Sequence, residues 1–119
     1  MQRFTNLLVW QRSHALALAV YRLTAKFPGD EKFGLTSQLR RAALSVPTNI
    51  AEGSKRISRQ DYARFLNMAE GSLAEAEYLL MVSRDLGYAT AQEIESHQKE
   101  ATEIASMLSS LRAKVLRMK

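Results

Sequence analysis

Two histidines are the only side chains of this sequence whose ordinary pKa lies near neutral pH, and one of them has carboxylates at helical spacing. His97 follows Glu93 by four residues and precedes Glu100 by three, so on a helix all three share one face. That spacing is superficially typical of a metal-binding helix. Metal centres inside helical bundles, however, need matching carboxylates and histidines from several helices, and the sequence has no second such motif. We therefore predict that His97 is a core or interface residue, that His14 is structural, and that the chain holds no metal and no cofactor.

The candidate nucleophiles lack partners. The 119 residues include no cysteine, which excludes disulfides, thiolate metal sites and cysteine catalysis. Ser72 would need a general base, and neither histidine has a sequence-level reason to lie beside it. Gly53 and Gly71 are isolated, so there is no glycine-rich phosphate loop; Gly71, in the middle of a predicted helix, is expected to allow close helix–helix approach. We predict no catalytic residues and no enzymatic activity.

The basic residues remain as functional candidates. The net charge is +5, but residues 1–64 carry 11 Lys and Arg against 4 Asp and Glu, residues 65–111 carry 2 against 8, and the last eight residues add four cations. Such a chain either pairs its own halves or presents a basic surface to an anionic partner. The cations near the second joint and the chain end are the predicted nucleic-acid contacts: Lys55, Arg56, Arg59, Arg64, Arg112, Lys114, Arg117 and Lys119. Only Tyr62 could stack on a base nearby, so phosphate contact is expected, with a merely solubilising basic end as the alternative.

Hydrophobic periodicity and three joints predict the helices that position these residues. Pro28 and Gly29 mark the first joint, Ser58 begins the helix after the second, and Thr90 with Glu93 forms a capping box after the third. The predicted helices are Asn6 to Lys26, Lys32 to Lys55, Arg59 to Leu86, and Ala91 to Arg117.

Short joints make successive helices antiparallel neighbours. The predicted fold is therefore all-α, an antiparallel up-down-up-down four-helix bundle, as a single domain over residues 1–119. Its antiparallel order would bring the second joint and the C-terminus to the same end. No apolar run is long enough to span a membrane, and a cytoplasmic location is expected.

The second helix carries two neighbouring stripes. Its core face is predicted to contain Leu35, Leu39, Ala42, Ala43, Val46 and Ile50. Beside that face lies a polar stripe, predicted to be an oligomer interface or a structural network: Gln38, Arg41, Ser45, Asn49 and Glu52. Pro47 is expected to bend the helix and to free the carbonyl of Ala43 for a Ser or Asn side chain. A ligand pocket and direct nucleic-acid contact are the alternatives for this stripe.

The residues also carry a resemblance. The run FPGDEKFGLTSQLRRAALSVPTNIAEGSKR, followed by RFLNMAEGSLAEAEYLL and preceded by LLVWQ, resembles the four-helix-bundle family of 23S rRNA intervening-sequence proteins. The similarity spans Asn6 to about Gly87, and the fourth helix matches only in kind. Its motif positions in this sequence are Gln38, Arg41, Pro47, Asn49, Glu52, Gly53, Gly71, Ser72 and Glu75.

This resemblance implies a left-handed four-helix bundle that assembles as a homopentameric ring. It also implies relatives encoded within insertions in ribosomal RNA genes, and a related accessory protein of diversity-generating retroelements that binds nucleic acid and a reverse transcriptase. No catalytic residues come with it. The resulting hypothesis is a non-enzymatic, oligomeric protein that binds RNA or DNA through a basic pole as a scaffold or accessory factor. The alternative is a protein-binding oligomeric adaptor that does not bind nucleic acid.

Overall fold

Four α-helices in the predicted order make up the structure, a computed structural model that describes residues 3–118. Their bounds are α1 Leu8–Thr24, α2 Leu35–Gly53, α3 Arg59–Asp85 and α4 Ala91–Arg117. Short 3-10 helices, Phe4–Asn6 and Gly29–Glu31, precede α1 and α2, and residues 3–118 contain no strand. The predicted all-α, four-helix class is confirmed. None of these helices is long and apolar enough to cross a membrane.

The predicted bounds were too wide for the first two helices. Residues 4–6 form a 3-10 turn, so α1 begins after Asn6, and it ends before Lys26. Gly34, with φ −114° and ψ −114°, is not helical, so α2 begins at Leu35 instead of Lys32. The starts of α3 and α4 agree with the prediction because both have side-chain caps.

These two caps have the expected geometry. The Ser58 side chain accepts a hydrogen bond from the Asp61 amide at 3.0 Å. Thr90 accepts one from the Glu93 amide at 3.1 Å, and the Glu93 carboxylate accepts one from the Thr90 amide at 2.9 Å. Each cap satisfies backbone donors that the first helical turn cannot pair. Gly87, at φ +77°, ends the preceding helix in the left-handed conformation.

Two buried clusters show how the helices are ordered. One joins the beginning of α1, the end of α2, the beginning of α3 and the later part of α4, through side chains such as Val9, Ile50, Leu66 and Leu108. The other joins the opposite ends, through Leu23, Leu39, Leu80 and Ile94. This alternation of ends means that each helix runs antiparallel to its neighbour in sequence. All six residues predicted for the core face of α2 are buried.

Pro47 lies inside α2, and the helix continues past it to Gly53. The expected side-chain bond to the Ala43 carbonyl does not form. Thr48 Oγ1 donates instead to the Leu44 carbonyl at 2.8 Å, and Asn49 Nδ2 to the Ser45 carbonyl at 2.9 Å. These local bonds support the turn that contains the proline.

The glycine that permits close helix approach is Gly53. A Cβ atom there would lie 2.7 Å from Cβ of Phe65 and 3.1 Å from Cδ1 of Tyr62, so the end of α2 packs directly on the start of α3. The same expectation for Gly71 was wrong. Gly71 is exposed, and nothing lies within 4 Å of its Cβ position, because it is on the outer face of α3.

We expect Gly53→Ala to destabilise the protein by about 1–2 kcal/mol. The added methyl group overlaps Phe65 Cβ, which can move only with the α3 backbone, and this overlap outweighs the better helix propensity of alanine. Gly29→Ala is the matched control, since nothing lies within 4 Å of its Cβ position and its φ is not positive. Urea unfolding followed by circular dichroism measures both. Equal midpoints for wild type and Gly53→Ala would contradict the close approach.

Candidate functional site

The antiparallel order places the second joint beside the end of α4. Arg56 of the joint, Arg59 at the start of α3 and Lys114 of α4 line one cleft of about 340 Å³. We call this end the basic pole, and its described cations are Lys55, Arg56, Arg59, Arg64, Arg112, Lys114 and Arg117. The structure therefore brings together the two basic segments that the sequence predicted to meet. Lys119, the eighth predicted contact, lies outside the described residues.

Two of these cations are engaged by carboxylates. Arg112 Nε donates to Glu70 Oε1 at 2.7 Å, and this hydrogen bond raises the pKa of Arg112. Arg64 donates to Asp61 Oδ1 at 2.9 Å. The Arg64–Asp61 pair lies within α3, and the Arg112–Glu70 pair joins α4 to α3. These two guanidinium groups therefore already take part in contacts within the protein.

The other five have no acidic partner within residues 3–118: Lys55, Arg56, Arg59, Lys114 and Arg117. Arg59 is half-buried and the rest are exposed. The Arg56 guanidinium lies over the Phe65 ring, 4.5 Å from its centroid. Lys114 and Arg117 occupy the last turn of α4, where cations also stabilise the helix dipole.

The walls of the cleft are mainly apolar. They are formed by Leu7, Ile57, Tyr62, Leu111, Val115 and Met118, together with Ser54 and Ser58. Ile57 is fully exposed at 104%, although it is a large aliphatic residue. Sequence analysis missed this cleft because its walls come from distant parts of the chain. The available signal was an isoleucine inside the basic segment SKRISR.

The polar stripe of α2 follows the seam between α2 and α3. Asn49 Nδ2 donates to Ser45 Oγ at 3.0 Å, and Ser72 Oγ of α3 lies 3.0 Å from the same oxygen. Gln38 Nε2 is 3.5 Å from a Glu75 oxygen, at the limit of a hydrogen bond. Two members of the stripe, Ser45 and Gln38, thus contact the motif positions Ser72 and Glu75, and Asn49 bonds Ser45 within the stripe.

Arg41 and Glu52, the remaining members of the stripe, are exposed. Neither has a hydrogen bond or an ion pair with any described residue. Asn49 does not bridge them, because its amide donors go to Ser45. The two charges therefore face solvent on the α2–α3 surface of the protein.

The histidines are separated and occupy different environments. His97 is half-buried at the opposite end of the bundle, where burial lowers its pKa and the charge of Glu93 partly counteracts that shift. Glu100 binds Arg12, with Nε and Oε1 2.8 Å apart, and not His97. Exposed His14 stacks on Trp10, with the ring planes 6° apart. Among residues 3–118, no group of three or more His, Asp or Glu side chains is arranged to hold a metal.

The fold and this site define a small four-helix-bundle protein with one cation-rich end. The family described as 23S rRNA-intervening sequence protein matches residues 5–110, and the chain belongs to that family. The chain is also similar to the crystal structure of a protein of unknown function from the S23 ribosomal protein family of Bacteroides thetaiotaomicron. The two are 28% identical, with a TM-score of 0.79 over 88% of this chain and 98% of that one. No curated protein matches the chain.

Glu93 should make stability depend on pH in the acid range. Hydrogen bonds from Lys26 and from the Thr90 amide lower its pKa from 4.5 to about 2. Because the folded-state pKa is the lower one, this stabilisation is complete above pH 4.5 and is lost as the pH falls towards 2. We expect Glu93→Gln to lose less stability than wild type over that interval, as measured by urea midpoints.

The matched control for this measurement is Glu95→Gln, an exposed glutamate two residues along the same helix. It should follow the wild-type pH dependence. If Glu93→Gln and wild type lose the same stability between neutral pH and the acid end of that interval, the Lys26–Glu93–Thr90 contacts do not hold in solution.

Proposed function

We propose that this protein is a non-enzymatic, oligomeric nucleic-acid-binding protein that contacts the RNA or DNA backbone through the basic pole, as a scaffold or accessory factor. The observation that carries this proposal is the gathering, from two distant segments, of five cations that have no acidic partner among residues 3–118. The family description, which refers to 23S rRNA, supports RNA as one polymer to test first. No reaction is named in that description.

The composition of the basic pole favours phosphate contact. Lysine and arginine neutralise phosphates, while reading base edges requires convergent donors and acceptors. The polar groups that line the cleft are cations and the serines Ser54 and Ser58, and both serine hydroxyls already bond backbone groups. Binding through this surface should therefore tolerate many sequences and depend steeply on salt.

We expect Arg56→Ala combined with Arg59→Ala to weaken binding to all duplex sequences about equally. It should also flatten the salt dependence, because log affinity changes by about 0.9 per neutralised phosphate for each decade of salt. Fluorescence anisotropy with mixed-sequence RNA and DNA duplexes at several salt concentrations measures both effects.

The control is Arg22→Ala combined with Lys32→Ala, which removes the same charge from exposed positions at the opposite end of the bundle. This control should leave most of the affinity and the slope in place. The proposal is contradicted if wild-type protein fails to bind at low salt. It is also contradicted if Arg56→Ala combined with Arg59→Ala leaves the affinity unchanged.

Assembly is the second part of the proposal, and the α2–α3 surface is the face we assign to it. Arg41 and Glu52 have no partner on it among residues 3–118, and Leu44 of α2 with Met68 and Tyr78 of α3 expose 45%, 44% and 62% of their surface on the outer sides of these two helices. A second copy of the chain could pair those charges and cover those side chains. The family resemblance favours a closed ring of five subunits, in which the basic pole is repeated by symmetry.

We expect Glu52→Ala to weaken the oligomer, because Arg41 would be left buried and unpaired at the contact. Removing one partner of a buried ion pair costs about 3–5 kcal/mol. Light scattering across a dilution series measures the shift towards smaller species, with Glu95→Ala on α4 as the control. Wild-type protein that is monomeric at high micromolar concentration overturns the assembly proposal.

One observation favours the protein-binding adaptor as the second candidate. The walls of the cleft in the basic pole are mainly apolar. The cations in the last turn of α4 stabilise the helix dipole, so their presence does not by itself require a nucleic acid. These features fit an acidic and apolar peptide segment as well. This candidate replaces the first if no nucleic acid binds.

A further inference from the structure

We propose that the cleft of the basic pole accepts an unpaired nucleobase, so that the protein prefers nucleic acid with single-stranded segments to blunt duplex. The inference rests on the proposed nucleic-acid binding and specifies the polymer that it takes. It departs from the expectation from the sequence, in which Tyr62 was the only nearby aromatic residue and phosphate contact alone was predicted. The structure places Tyr62 among five aliphatic or thioether side chains that also line the cleft.

Phosphate binding by itself does not account for this end of the molecule. A surface that contacts only phosphates needs cations, yet Ile57 is 104% exposed and Met118 54% exposed between them. A blunt duplex keeps its bases stacked and would leave these side chains in water. An unpaired nucleotide differs because the apolar face of its base is free to leave solvent.

The size and charge of the cleft suit an unpaired nucleobase. Its volume of about 340 Å³ falls in the range of small-molecule pockets, roughly 300–1,000 Å³. Arg56 and Arg59 stand on the side of the joint and Lys114 on the side of α4, so cations border the opening from two elements. A base inserted between them would have its flanking phosphates near positive charge on either side.

The cleft should accept any base. Contacts with apolar walls and with the Tyr62 ring depend on the π face that every base has. Burial raises the pKa of Tyr62, so its side chain is neutral at physiological pH and does not repel the backbone. The expected preference is therefore for unpaired structure and not for sequence.

Four ligands of one core sequence test this by fluorescence anisotropy: a blunt duplex, the duplex with a short unpaired overhang, the same duplex with an abasic overhang, and the single strand. The abasic overhang carries the same phosphates as the normal overhang but no bases. A difference in affinity between these two ligands therefore comes from the bases and not from charge. Wild-type protein should bind the normal overhang about tenfold more tightly than the abasic one, as expected from a single base contact.

Ile57→Asn combined with Met118→Gln should abolish most of that difference and leave the blunt-duplex affinity and salt slope unchanged. Both side chains are exposed, so the fold should tolerate the changes. Phe33→Asn is the matched control, because Phe33 is 91% exposed in the first joint, and it should behave as wild type.

The outcomes separate the two proposals. Salt-dependent binding of blunt duplex with equal affinity for normal and abasic overhangs overturns the cleft assignment and leaves the proposed function in place. A base preference that survives Ile57→Asn with Met118→Gln also overturns the assignment. Absence of binding to all four ligands defeats the proposed function itself, and the cleft assignment with it.

Discussion

The contact between the end of α2 and the start of α3 determines how the rest of this molecule is arranged. At Gly53 the two helices are so close that a side chain would meet Phe65 at 2.7 Å. The connection that follows, from Ser54 to Ser58, must therefore turn tightly, and it ends in the Ser58 cap of α3. That tight turn fixes Arg56, Ile57 and Arg59 beside the last turns of α4, where they line the cleft.

Some charged side chains of the protein pair with one another, and others remain exposed at the basic pole. Cations of α1 and of the joint after it bind the acidic face of α4: Arg12 of α1 contacts Glu100 and Glu103, and Lys26, two residues past the end of α1, contacts Glu93. Each is an exposed or partly exposed pair and adds little stability by itself, but together they orient α1 along α4. The joint between α2 and α3 faces no comparable carboxylates, so Arg56 and Arg59 remain unpaired within residues 3–118. The internal pairing that the charge distribution allowed thus occurs, and at the basic pole five cations remain without acidic partners among residues 3–118.

Hydrophobic periodicity and capping motifs predicted the features that depend on a single helix. They did not predict features that depend on how two helices pack. The buried face of α2 and the caps at Ser58 and Thr90 could be predicted because each follows from residues within a turn or two. Gly71 was misassigned because its size was considered without its position: the buried Leu66, Ala69 and Leu73 place it on the opposite face of α3. The cleft could not be predicted from the sequence, because Leu7, Ile57 and Leu111 become neighbours only through the antiparallel packing.

In the proposed function, the second joint and the end of α4 form one nucleic-acid-binding surface. Hydrogen–deuterium exchange of the intact protein, with and without a single-stranded oligonucleotide, tests it most directly. We expect added protection in residues 54–62 and 111–118 together, with none at the first and third joints. Protection confined to the opposite end, or bound oligonucleotide with unchanged exchange in both segments, would contradict it.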